Sequence, residues 1–133
     1  MTSVLLRHAS AGHRSRWDGH DEHRPLDDRG RRQAKALVDE LRGLLDIRRI
    51  VSSPYTRCVE TVVPLAEALG LSIEEDERLG EGEGAGASAL LAEPGVVACT
   101  HGDVVEELLG HGLKKGAAAV FRDGRFVEEI PAP

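Results

Sequence analysis

Val4-Leu5-Leu6-Arg7-His8-Ala9 reads as a short buried strand that runs straight into an arginine and a histidine. The same arrangement recurs twice. Ile50-Val51 leads into Ser52-Ser53-Pro54 and then Arg57, and Val96-Val97-Ala98-Cys99 leads into Thr100-His101-Gly102. Each apolar run is followed by a segment with helical periodicity, so strand and helix alternate. Alternation of this kind predicts an α/β fold, a three-layer α/β/α sandwich around a mostly parallel sheet. In a parallel sheet the residues just beyond the strand ends emerge at one edge, where ligands bind. Arg7, His8, Arg57 and His101 are therefore expected in one pocket. Two guanidiniums offer planar, bidentate donors suited to phosphate oxygens. A neutral imidazole beside them is a nucleophile able to attack phosphorus near neutral pH. The combination points to phosphoryl transfer through a histidine.

The remaining elements follow outward from these junctions. Ser10 to Arg24 is polar and aperiodic, and reads as a long loop of the kind that is either functional or disordered. A helix then begins near Asp27 or Asp28, either of which can cap it, with Ala34, Leu37, Val38, Leu41, Leu44 and Leu45 as its apolar stripe. A second helix is expected to start with Ser53 as N-cap and Pro54 in its first turn, and to end at Gly70. Its buried face is expected to be Val59, Val62, Val63, Ala66 and Leu69, with a kink at Pro64. Ile73 belongs to a short edge strand, and Leu79 to Ala89 is Gly-, Glu- and Ala-rich without a period. Val96 to Cys99 is a central strand, and Val104, Val105, Leu108 and Leu109 mark a short helix. Asp123-Gly124 between Ala117–Phe121 and Phe126–Ile130 predicts a C-terminal hairpin.

A chain of 133 residues suits one domain, 1–133. Its 41% hydrophobic and 30% charged content is that of an ordinary soluble globular protein. No apolar run is long enough to span a bilayer, and Met1-Thr2-Ser3 enters the first strand without a signal-peptide pattern, so a cytoplasmic location and no membrane partner are expected. Cys58 and Cys99 read as reduced core thiols. A net charge of −6 argues against a nucleic-acid partner. Arg14, Arg16, Arg24, Arg29, Arg31 and Arg32 nevertheless crowd together, partly as a solvated helix face and partly to focus an anionic substrate. No residue pattern specifies an oligomeric state.

Arg7-His8-Ala9, Ser52-Ser53-Pro54-Tyr55-Thr56-Arg57-Cys58-Val59-Glu60-Thr61 and Thr100-His101-Gly102 resemble, in order, the three signature segments of the histidine phosphatase superfamily, which also contains the phosphoglycerate mutases. Arg24-Pro25-Leu26-Asp27…Gly30 is similar to the small, lidless phosphohistidine phosphatases of the SixA type. Arg7 through Leu71 also resembles the phosphatase-like domain fused to Nudix hydrolases in some actinobacteria. Ala9 stands where most members have Gly, which is expected to dent the pocket rather than close it. The resemblance implies a single histidine phosphatase domain in which His8 is the nucleophile and forms a phosphohistidine that water hydrolyses. It implies that Arg7 and Arg57 clamp the phosphoryl oxygens, Arg57 from the first turn of its helix, where the dipole also favours an anion. His101 then stabilises the transition-state charge, and Arg24 reaches the same phosphate pocket. Larger members place a general acid after a Leu-x-Glu pattern, and Leu79-Gly80-Glu81 offers Glu81.

No cofactor and no metal are implied. His20-x-x-His23, with Asp18, Asp21 and Glu22, lacks the helix that would set two rings on one face, and reads as a solvated loop. Trp17 reads as loop packing, and Lys114-Lys115 as a solvated pair or part of the pocket rim. The expected function is a metal-independent phosphatase of SixA type. Its partner would be a phosphohistidine protein or a phosphorylated small molecule. Two alternatives are a nucleotide-related phosphatase and a phospho-ligand binding or regulatory module with little turnover.

Overall fold

Val4 and Leu6 face one side of the sheet and Leu5 the other, and all three are fully buried. That double burial is what a strand covered by helices on both faces requires. The computed structural model describes residues 1–133 apart from the side chain of residue 85. Its strands are β1 (Thr2–Arg7), β2 (Arg49–Ser52), β3 (Ile73–Glu75), β4 (Val96–Thr100), β5 (Ala118–Arg122) and β6 (Arg125–Ile130). They form a six-stranded sheet in the order β3-β2-β4-β1-β5-β6. The first four in that order run parallel, and β5 and β6 add an antiparallel hairpin at one edge. The hairpin turns through Asp123 and Gly124, both at positive φ, as an Asp-Gly pair favours.

One layer is made by α1 (Asp28–Arg42) and α2 (Thr56–Leu69), which pack Leu37, Leu41, Val62 and Leu65 on Val4, Leu6 and Ile50. The other is made by the short α3 (Ser88–Leu91) and α4 (Gly102–Leu109), which pack Leu90, Leu91, Val104 and Val105 on Leu5, Ala98 and Ala119. None of these helices is long and apolar enough to cross a membrane.

Two sequence expectations for α2 need correction. The helix starts at Thr56 with Tyr55 as its cap, so Ser53 and Pro54 lie before it. Its buried face is Arg57, Cys58, Thr61, Val62, Leu65 and Ala66, while Val59, Val63 and Leu69 are only partly covered. The apolar residues of this segment are spread widely enough for either face, and the burial of Arg57 in the first turn settles the rotation. The helix continues past Pro64, and its stop at Gly70, in the left-handed region, is the expected one.

The start of α1 is built against the segment after β1. Asp27 caps the helix by accepting from Gly30 N–H (2.8 Å), and its other oxygen accepts from Ser10 Oγ (2.8 Å) and Gly12 N–H (3.0 Å). Burial alone would raise the Asp27 carboxyl, but these three donors hold it below its usual range. Gly30 is needed because a Cβ there would lie 1.9 Å from the Ser10 carbonyl oxygen.

Candidate active site

Because β2, β4 and β1 are adjacent and parallel, their C-terminal ends lie side by side, Arg7 level with Thr100 and Ser52 level with Cys99. The residues that follow meet over a cavity of about 570 Å³, lined by Arg7, His8, Arg24, Arg57, Glu81 and His101 among others. All six residues singled out in the sequence thus converge.

His8 is 4% exposed. Its Nδ1 lies 2.8 Å from the Ala9 carbonyl oxygen, which can only accept, so Nδ1 carries the proton and Nε2 keeps its lone pair. Burial pushes the imidazole pKa down to about 3; the Ala9 bond opposes that, and the charges of Arg57, His101 and Arg7 add to it. A neutral histidine with an unprotonated Nε2 is the form a nucleophile requires. Ala9 itself is fully buried with Ala11, Leu26 and Ala34 and does not line the cavity, so the expected dent is absent. Its N–H is held by Thr61 Oγ1 (3.0 Å), which in turn donates to the Arg57 carbonyl (2.7 Å).

Arg7 donates through NH1 to the Leu113 carbonyl (2.6 Å). Arg57 is 1% exposed, donates to the Asp21 carbonyl (2.8 Å), Asp21 Oδ2 (3.0 Å) and Glu81 Oε1 (2.8 Å), and has its guanidinium 5.0 Å from the Tyr55 ring centre. Among the described residues, the buried side-chain nitrogens left without any partner are Arg7 Nε and Arg57 Nε. Buried donors are normally satisfied, so two orphaned guanidinium N–H groups in one pocket suit an anion. Arg24 lines the same cavity, tethered through NH1 to the Ala11 carbonyl (2.6 Å) and through Nε to Asp21 Oδ1 (2.9 Å).

His101 is 2% exposed, with its ring centre 5.6 Å from that of His8. Ser53 Oγ shares a 2.8 Å hydrogen bond with His101 Nε2, and the Tyr55 ring packs edge-on at 4.6 Å. These contacts fix the ring and set Nδ1 3.7 Å from Glu81 Oε1. Glu81 enters the cavity wall as an acceptor, from Arg57 and from Arg14 NH2 (3.0 Å).

Several residues of the site were not singled out for it. Ser53, read as a helix cap, orients His101 instead. Asp21, read as part of a solvated His-rich loop, gathers Arg14, Arg24 and Arg57. Burial raises its carboxyl, but the Arg24 bond and the charges of Arg57, Arg24 and Arg14 bring it below the usual range. Its spacing from Arg24, three residues apart at the end of a loop, was the available signal. The rings of His20 and His23 lie 6.2 Å apart, and among the described residues no group of three or more His, Cys, Asp or Glu is arranged to hold a metal ion. Trp17 is 38% exposed and bonds to the His20 carbonyl, within its own loop. Cys58 and Cys99 are buried free thiols.

The model of the histidine phosphatase superfamily (branch 1) matches residues 3–90. The chain is 38% identical over 117 residues to an 8-oxo-(d)GTP phosphatase of Mycolicibacterium smegmatis, an alignment covering 81% of this chain and 36% of that protein's length. The fold is shared with the protein histidine phosphatase SixA complexed with tungstate (TM-score 0.79, 24% identity, 98% of this chain and 97% of that one). It is also shared with a mycobacterial glucosyl-3-phosphoglycerate phosphatase (TM-score 0.73, 20% identity, 95% and 96%).

Proposed function

Since this chain belongs to the histidine phosphatase superfamily (branch 1), we propose that it is a phosphatase that passes the phosphoryl group through His8. The observation that carries the reading is the neutral, Nδ1-tethered His8 beside two arginines whose buried Nε–H groups lack partners. His8 Nε2 attacks phosphorus, an N–P bond forms, and the bond to the leaving group breaks. Water then attacks the phosphohistidine, the N–P bond breaks, and inorganic phosphate leaves with His8 restored. Arg7, Arg57, Arg24 and His101 receive the negative oxygens during both steps. With that much positive charge supplied by side chains, the reading requires no metal, and chelator treatment is expected to leave the rate unchanged.

The leaving group is constrained by what faces it. Glu81 Oε1 accepts from Arg57 and from Arg14, so this oxygen is turned to the cations of the pocket. A phosphohistidine, which can be protonated at its other ring nitrogen, or an activated ester departs with little help from an acid. We therefore place protein phosphohistidine or a small phosphomonoester with a good leaving group first. The 38% identity to the 8-oxo-(d)GTP phosphatase supports nucleotides as the second reading. This chain spans about a third of that protein's length, so the whole activity of that protein does not carry over to it.

The test is turnover of phosphohistidine, aryl phosphates, sugar phosphates and nucleotides by wild type, His8→Ala and Glu81→Gln. His8→Ala is expected to lose all turnover, and alkaline-quench labelling of the wild type to trap an acid-labile, base-stable phosphoprotein. Glu81→Gln is expected to change phosphohistidine turnover little. Sugar-phosphate hydrolysis that is efficient and falls by roughly 10²–10⁴-fold in Glu81→Gln would overturn the leaving-group assignment. Normal turnover by His8→Ala would overturn the mechanism.

A further inference from the structure

The cavity has two cations that the chemistry above does not use, Arg14, which is paired with Glu81 and Asp21, and Lys115. Lys115 lines the cavity from a turn between α4 and β5. This turn is bound to the nucleophile's own segment: Gly116 N–H donates to the His8 carbonyl (3.0 Å) and the Arg7 carbonyl (3.2 Å), and Arg7 N–H donates to the Ala117 carbonyl (3.0 Å). Gln33 ties the two segments again, accepting from Ser10 N–H (2.9 Å) and donating to the Lys115 carbonyl (3.4 Å). Gly116 makes the turn at φ +86°, with Gln33 3.2 Å from where a Cβ would be. Lys115 thus stands in a fixed relation to His8, although 107 residues separate them in sequence (115 less 8).

The other cations of the cavity wall are engaged. Arg7 holds the Leu113 carbonyl, Arg24 the Ala11 carbonyl and Asp21, Arg57 Asp21 and Glu81, and Arg14 Glu81 and Asp21. Among the described residues the Lys115 ammonium has no carboxylate or carbonyl within bonding distance. Burial, followed by the charges of Arg7, Arg24 and Arg57, pushes the lysine below its ordinary range against the pull of Asp27. Three carboxylates also line the cavity, Glu81, Asp103 and Glu106, but among the described residues none of them is paired with Lys115. A phosphoryl group has three oxygens, and Arg7, Arg57, Arg24 and His101 suffice for them without Lys115.

We propose that Lys115 binds a second anionic group of the substrate, attached next to the transferred phosphoryl group. The substrate class is then a phosphoanhydride, or a phosphate ester with a neighbouring phosphate or carboxylate. The inference rests on the phosphatase reading of the pocket and, within it, favours nucleotides and other doubly anionic phosphates over phosphohistidine.

Calorimetric titration of the full chain with inorganic phosphate, pyrophosphate and phosphonoacetate tests it without requiring turnover. The wild type is expected to bind pyrophosphate or phosphonoacetate about 10-fold or more tightly than phosphate, the factor that one charge-assisted contact supplies. Which of the two is preferred tells whether the second group is a phosphoryl or a carboxylate. Lys115→Met is expected to bring that ratio to within about 3-fold, and Lys115→Arg to restore it. A ratio that persists in Lys115→Met, or a wild type with no preference for either doubly anionic probe, overturns the proposal while leaving the phosphate pocket standing. Binding of no anion at all, or phosphate binding unaffected by Arg57→Met, overturns the pocket reading itself.

Discussion

A single imidazole links the proposed chemistry to the stability of the protein. His8 is neutral because burial holds its folded pKa at about 3 against an unfolded value near 6.5. Between those values the unfolded chain binds a proton that the folded one refuses, so stability rises with pH through this window and is lost as pH falls from about 6.5 to 3. The slope from this one group is up to about 1.4 kcal/mol per pH unit. Urea titrations between pH 7 and 4 are expected to show His8→Gln losing less stability on acidification than wild type. Equal slopes would mean that His8 is charged in the fold. Gly102 gives a second prediction. Its φ is not positive, so the backbone would accept alanine, yet a Cβ there would lie 2.9 Å from the Arg7 guanidinium. Gly102→Ala is expected to displace Arg7 and lower kcat/KM on the order of 10²-fold, with little change in Tm. Unaltered kinetics would remove Arg7 from the phosphate clamp.

At the level of elements, the entry to α1 shows how a local rule yields to a tertiary contact. Alanine is intrinsically better than glycine inside a helix by about 1 kcal/mol. At Gly30 the opposite outcome is expected, because the added methyl group would drive the helix off the Ser10 carbonyl. Gly30→Ala is expected to destabilise by about 1–3 kcal/mol, read as a lower urea midpoint at constant m. A neutral or stabilising result would show that the Ser10–Asp27–Gly30 junction yields easily. The Asp27 cap, the Gly70 stop and the Asp123-Gly124 hairpin were legible because each depends on neighbours within a few residues. The stretch from Leu79 to Ala89 was not. Its short turns at Glu77–Leu79 and Gly84–Gly86 are held from a distance, by Thr100 Oγ1 donating to the Leu79 carbonyl (2.6 Å) and by Gly82 N–H donating to Asp103 (2.7 Å).

For the molecule as a whole, the sheet order is what gives the site its residues. β1 sits between β4 and β5, so one strand joins the two ends of the chain and both helical layers pack on it. With the core continuous through β1 on both faces, the 133 residues are expected to unfold in one transition. Urea curves from far-UV circular dichroism and from hydrogen exchange of β1 and β4 amides should coincide. A separate early transition of the β5–β6 hairpin would show that the edge is a distinct unit.

The sequence by itself determined the strand–helix alternation, the parallel central strands, and the convergence of Arg7, His8, Arg57 and His101, while Arg24 was placed with them by the family resemblance alone. It could do so because period and strand-end position are local properties, and parallel strand ends share one edge by construction. Only the tertiary structure decided that Ser53 orients His101 rather than capping α2, that Ala9 points into the core, and that Asp21 and Glu81 lie on Arg57. It alone also brought Lys115 to the wall beside His8. These outcomes depend on which groups satisfy buried donors and charges across long sequence separations, and nothing local to those residues encodes the partner.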